Sequence, residues 1–169
     1  DSAVRGLTVQ SPSVGPMQIT AADCGVTLDS PYGHTGAAAS LGENSNRLLI
    51  NPAAGARMAL AESILNMAGA KVSSLSQIQF RVNWMWPAKQ PGEAARMFDA
   101  AYATRDMLVE LEEAANGGKD SLSMVVEIDG TKILSPGQLV FFAHARVPDV
   151  RKVITSDFVG LSERGMPTK

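Results

Sequence analysis

Between Arg57 and Lys71 the only charged residue is Glu62, and Asn66 follows four positions later. On a helix that spacing puts a carboxylate and an amide on one face, among Met, Ala, Leu and Ile. A carboxylate on so apolar a helix is costly unless it is paired, hydrogen-bonded or bound to a cation. A carboxylate and an amide carbonyl are also hard oxygen donors of the kind Mg2+ takes. Asp23, from a separate strand-like segment, offers a third oxygen, so one reading is a metal and phosphate site. The other is that Glu62 and Asn66 lie at the helix surface or make internal hydrogen bonds; spacing alone leaves both open.

Gly117-Gly118-Lys119-Asp120-Ser121 supplies consecutive backbone N–H donors, a lysine and a hydroxyl, the inventory of an anion-binding loop. Its spacing and element order are not those of a P-loop, and a helix stop followed by a polar turn accounts for the same residues. Trp84 and Trp86 could stack a base, but their alternation with polar residues places them in a core. Cys24 has no histidine near it in sequence and reads as a small buried hydrophobe rather than a nucleophile. His34 and His144 are the only histidines, too few and too far apart for a zinc site.

These side chains need elements to hold them. Met17 to Leu28 reads as a strand bent near Gly25, with Asp23 inside or at its end. Ser30 to Asn46 reads as a glycine-rich connector. Asn51-Pro52 offers an N-cap and a first-turn proline for a helix running toward Ala70, with Met58, Ala61, Ile64, Leu65 and Ala68 at helical spacing. Gln77 to Trp86 alternates, with Ile78, Phe80, Val82, Trp84 and Trp86 on one face. That face carries more aromatic surface than one small sheet readily covers, which predicts pairing into a homodimer. Glu93 to Ala115 predicts a second long helix stopped by Asn116-Gly117-Gly118. Ser123–Ile128 and Thr131–Leu134 flank Asp129-Gly130, a two-residue hairpin signal, and Gln138–Val147 is a last strand. The order predicts an α+β domain, a mixed β-sheet with two long helices on one face.

At 169 residues, 45% hydrophobic and 19% charged, the chain has the make-up of one globular domain. No apolar run approaches the roughly 20 residues that cross a bilayer, so no membrane partner is expected. Fifteen Lys and Arg are scattered and the net charge is -2, which gives no nucleic-acid footprint but leaves small anions open. One cysteine fits a reducing compartment, and a cytoplasmic location is expected. A start at Asp1 with no Met and no leader predicts a piece of a longer chain, cut at both ends.

Several segments carry a resemblance in order and spacing: Gly15-Pro16-Met17-Gln18-Ile19 leading to Ala22-Asp23-Cys24, then Ala61-Glu62-Ser63-Ile64-Leu65-Asn66. Asn83-Trp84-Met85-Trp86 before Pro91-Gly92-Glu93 follows, and then Gly117-Gly118-Lys119-Asp120-Ser121-Leu122-Ser123-Met124. Together they resemble the large single-chain phosphoribosylformylglycinamidine synthases from Asp1 to about Asp149. The resemblance implies a domain similar to the N-terminal domain of aminoimidazole ribonucleotide synthetase over 1–150, the second of two in the parent, with 151–169 a linker or the start of the next domain.

It further implies a purine-biosynthesis ligase that uses formylglycinamide ribonucleotide, glutamine and ATP, with the glutaminase nucleophile elsewhere in the parent. Asp23, Glu62 and Asn66 match residues that hold Mg2+ on a bound adenine nucleotide, ATP or ADP, with Ala22 beside it. Lys119, Asp120 and Ser121 are carried as further nucleotide-binding positions. Ser2 stands where the family usually has Arg. No catalytic residue is expected in this piece, and alone it is expected to be inactive. The competing expectation is a non-catalytic homologue that keeps the scaffold as an interaction or structural module.

Overall fold

The computed structural model describes residues 5–15 and 17–156. Ser2, Pro16 of the Gly-Pro-Met segment, and the part of the expected linker from 157 on lie outside them. The strands are β1 (Thr8–Gln10), β2 (Ser13–Val14), β3 (Thr20–Ala21), β4 (Cys24–Leu28), β5 (Gly36–Glu43), β6 (Gln79–Met85), β7 (Ala114–Ser121), β8 (Val125–Ile128), β9 (Thr131–Leu134) and β10 (Gln138–Val147). The helices are α1 (Ser45–Ile50), α2 (Pro52–Asn66) and α3 (Glu93–Glu110). Six strands hydrogen-bond in the order β1-β4-β5-β10-β6-β7, while β2 with β3 and β8 with β9 form two-stranded sheets.

Two compact units are distinguished: Asp1–Leu41, Ile64–Gln79 and Ala143–Lys169 in the first, Gly42–Ser63 and Phe80–Phe142 in the second. In the first unit β4 pairs antiparallel with β1 and with β5, through five residue pairs from Cys24↔Ser40 to Leu28↔Gly36. Val26, Ala38, Met67, Ile78, Ala143, Val147 and Val153 are buried there. The strand expected from Met17 is broken into β3 and β4 by a bend at Ala22-Asp23. Most of the expected glycine-rich connector is strand β5, whose burial alternates along all eight residues. Small residues depress strand propensity, but they suit a strand that other backbone approaches closely.

In the second unit Asn51 Oδ1 accepts a hydrogen bond from the Ala54 N–H at 3.0 Å, so the expected cap of α2 is formed. The helix ends at Asn66, short of Ala70. Its buried side is Gly55, Ala56, Ala59, Leu60 and Ser63, whereas Met58 and Leu65 of the expected apolar stripe are 43% and 71% exposed. Close packing here selects small side chains over large apolar ones. The Arg96 guanidinium of α3 donates to the carbonyls of Leu48 (3.0 Å) and Leu49 (2.8 Å), pairing two orphan acceptors at the end of α1.

Helix α3 stops at Glu110, not Ala115, and Glu112 takes a left-handed φ of 57°. The segment expected to be helix end and loop is strand β7. Backbone of Gly118 lies against that of Val82, and Trp86 N–H donates to Ser121 C=O, so β6 and β7 advance together. They are parallel, joined by α3 as a βαβ crossover, and with the antiparallel β1-β4-β5 run they make the sheet mixed. The hairpin is as expected: Ile128 pairs with Thr131, and Asp129 and Gly130 hold φ of 51° and 75°, the type I′ pattern. Ile78, Phe80, Val82 and Trp86 are at most 4% exposed. Trp84, expected in the core with them, is only half-buried, so the strand face on which self-association was expected is mostly, not wholly, covered within the chain.

Candidate functional site

Continuing the β4–β5 register by one step from Cys24↔Ser40 sets Asp23 level with Leu41. The Leu41 carbonyl accepts a hydrogen bond from Asn66 Nδ2 at 2.8 Å. That bond fixes the amide, because a carbonyl cannot donate, and it leaves Asn66 Oδ1 as the side chain's available acceptor. Asp23 and Asn66 line one cavity of about 300 Å3 in the first unit, together with Gln10, Cys24, Leu65 and Ser156 among others. The Asp23 side is exposed and Asn66 is half-buried. Among the described residues no Lys, Arg or His lines the cavity.

Glu62 is not among the lining residues. Its Oε2 accepts the Glu43 N–H at 2.9 Å, just as Asn66 engages Leu41, so the two polar residues of α2 reach alternate residues of β5. Both therefore make the internal hydrogen bonds that one sequence reading anticipated. Each side chain also keeps an oxygen outside that bond, Oε1 on Glu62 and Oδ1 on Asn66. At the cavity itself the exposed Asp23 carboxylate and the Asn66 amide oxygen are hard donors of the kind Mg2+ takes.

Ala22 sits between β3 and β4, its N–H donating to Pro12 C=O at 2.9 Å, and Ser156 Oγ donates to the neighbouring Ala21 C=O. Cys24 is buried; burial first, and the Asp23 carboxylate second, push its thiol up from the ordinary 9.0 to about 11, so it stays protonated and unreactive. Gln10, which spacing did not single out, is 4% exposed and donates from Nε2 to Cys24 C=O at 3.0 Å. A glutamine at a strand end carries no sequence signal for this position.

Lys119, Asp120 and Ser121 belong to β7 in the second unit rather than to a loop. Lys119 Nζ donates to Ser121 Oγ at 2.5 Å, two residues on along the same side of the strand. A strand ladder commits alternate backbone N–H groups to its neighbour, so the run does not form a cradle of consecutive free donors. A larger cavity of about 540 Å3 in the second unit is lined by Arg57, Phe98, Asp99, Tyr102 and Asp106 among others and contains none of the expected site residues. We place the candidate site at the smaller one, where register and hydrogen bonding converge on oxygen donors.

Residues 1–146 match the family model of the FGAR-AT PurM_N-like domain. The chain is 46% identical over 160 residues to phosphoribosylformylglycinamidine synthase of Drosophila melanogaster and 39% identical over 165 residues to that of Homo sapiens. These matches cover 95% and 98% of this chain but only 12% of either relative, so the chain spans about an eighth of the length of the curated relatives it matches. Among solved structures it resembles Thermotoga maritima PurL complexed with ADP, at a TM-score of 0.61 and 19% identity over 79% of this chain and 21% of that one. PurL complexed with FGAR is similar at a TM-score of 0.60, again at 19% identity and covering 79% of this chain and 20% of the other. At that identity the likeness shows the fold.

Proposed function

Because the chain belongs to the FGAR-AT PurM_N-like domain family, we propose that it is a domain of a phosphoribosylformylglycinamidine synthase and that it helps hold a Mg2+-bound adenine nucleotide. The parent activity is the conversion of formylglycinamide ribonucleotide, glutamine and ATP to the amidine, ADP, phosphate and glutamate, in the cytoplasm. The domain is taken as 1–150, with 151–169 leading onward. Mg2+, when bound, neutralises phosphate charge; the chain's own part is to hold oxygens ready for it.

The observation that carries this reading is the meeting of Asp23 and Asn66 at one cavity with the Asn66 amide oriented by Leu41. An amide whose NH2 is already committed needs no reorganisation to present its oxygen, which favours a cation over an anion. Glu62, four residues earlier on α2, is proposed as the third metal oxygen, and Ala22 as a neighbour of the nucleotide. Lys119, Asp120 and Ser121 are kept as further nucleotide contacts. Their strand setting supports a side-chain contact from Lys119 and Ser121 rather than a backbone cradle. The other domains of the longer chain are its natural partners.

Calorimetric titration of the 169-residue chain with ADP in the presence of Mg2+ tests the reading. Binding is expected, with at least a tenfold loss of affinity in Asp23→Asn and in Glu62→Ala; binding that ignores Mg2+ and both substitutions would refute it. Glutamine- or ammonia-dependent conversion of formylglycinamide ribonucleotide is expected from the longer parent and not from this chain. A parent inactive in that assay yet still binding Mg-ADP would favour a non-catalytic scaffold.

A further inference from the structure

Gln10 closes strand β1 with 4% of its surface exposed, and it lines the same cavity as Asp23 and Asn66. Its amide orientation is settled by a bond, since Nε2 lies 3.0 Å from the Cys24 carbonyl, which only accepts. Oε1 is then a buried acceptor, and it has no hydrogen-bond partner among the described residues. Buried acceptors are nearly always paired, and one left over on a residue that lines a cavity asks for a donor that comes with an occupant. The cavity's polar side chains include the Asp23 carboxylate and Asn66 Oδ1, with no cationic side chain among the described residues. Its complement is therefore positively charged and rich in O–H or N–H donors, which describes a hydrated divalent cation better than a bare phosphate.

Resting on the Mg2+ reading above, we propose that Gln10 is a positioning residue of this site. Its Oε1 accepts a hydrogen bond from the hydration shell of a divalent cation held at Asp23 and Asn66, and does not ligate the ion itself. Mg2+ sheds water reluctantly, so a site that offers an outer acceptor holds it without stripping the shell. Outer partners of this kind typically change metal affinity by about 10- to 100-fold.

The test is calorimetric titration of Mg2+ in the presence of ADP into the wild-type chain, Gln10→Met, Gln10→Glu and Asp23→Asn, each checked by thermal melting without metal. Gln10→Met keeps the volume but removes the acceptor. It is expected to bind about tenfold more weakly while its metal-free melting temperature stays near wild type, since the unpaired oxygen is removed along with the bond to Cys24. Gln10→Glu retains an oxygen acceptor and is expected to bind at least as tightly as wild type.

If wild type binds, Asp23→Asn does not, and Gln10→Met matches wild type, the Gln10 inference is overturned while the metal site stands. If wild type itself shows no Mg2+-dependent binding, both fall. Should Gln10→Met fail to fold, Gln10→Glu decides: affinity equal to or above wild type supports the inference, and a clear loss overturns it.

Discussion

Cys24 and Asp23 are chain neighbours in opposite surroundings, one buried and the other exposed. With burial and Asp23 holding the thiol at about 11 against an ordinary 9.0, the folded chain keeps a proton that the unfolded chain releases earlier. The stability this confers is fully present below pH 9.0 and is lost as pH rises through about 11. Urea unfolding of wild type and Cys24→Ala across that range is expected to show a steeper alkaline loss in wild type. Parallel pH profiles would show that the shift is absent.

Trp86 makes a second residue-scale case. The indole is fully buried and its Nε1–H donates to Glu93 Oε2 at 2.8 Å. Removing that acceptor in Glu93→Ala strands a buried N–H, so a loss of about 1–3 kcal/mol is expected from denaturant unfolding followed by tryptophan fluorescence. At this scale the sequence made Glu62 and Asn66 legible, because their spacing is local. It could not show that they reach Glu43 and Leu41, since those bonds depend on where β5 lies against α2. Gln10 was illegible for the same reason: only the β1–β4 pairing buries it.

Elements were legible where local chemistry decides them and illegible where packing does. The cap at Asn51, the Asp129-Gly130 turn and the alternation of Gln138–Val147 each specify their element from within a few residues. Strand β5 and strand β7 do not, because glycine and alanine suggest flexibility until the approaching backbone is known. Gly55 shows the packing constraint: a Cβ there would lie 2.4 Å from the Leu48 backbone nitrogen, and Leu48 is fully buried. Gly55→Ala is expected to force α1 and α2 apart at a cost of about 1–3 kcal/mol, read as a lowered urea midpoint. Gly130→Ala meets nothing within 4 Å but keeps a φ of 75°, so its cost is backbone strain of about 1–2 kcal/mol, felt in the hairpin rather than in the core. A Gly55→Ala chain as stable as wild type would mean that this helix pair yields more readily than its contacts imply.

The whole chain is about an eighth of its relatives' length, and part of its surface is apolar and exposed. Of the strand face from Ile78 to Trp86, Ile78, Phe80, Val82 and Trp86 are buried and Trp84 is half-buried, so little of it is left to drive association. The β8–β9 hairpin is a better candidate. Its register sets Val126 opposite Ile133 and Ile128 opposite Thr131, which puts three aliphatic side chains on one face, 53%, 49% and 53% exposed for Val126, Ile133 and Ile128. A two-stranded ribbon is marginally stable by itself, and an apolar face left to water is a surface for another chain or another domain. A neighbouring domain of a longer parent would be one such cover. In the isolated chain the simplest substitute is a second copy, apolar face to apolar face about a two-fold axis. Light scattering at tens of micromolar is therefore expected to report a dimer that dissociates on dilution. The triple substitution Val126→Thr, Ile128→Thr and Ile133→Thr keeps the β-branching that suits a strand while removing the apolar surface, so it is expected to give a monomer with an unchanged melting temperature. A dimer that survives the triple substitution places the contact elsewhere, and a wild-type monomer at that concentration shows that the exposed face is tolerated by the chain alone.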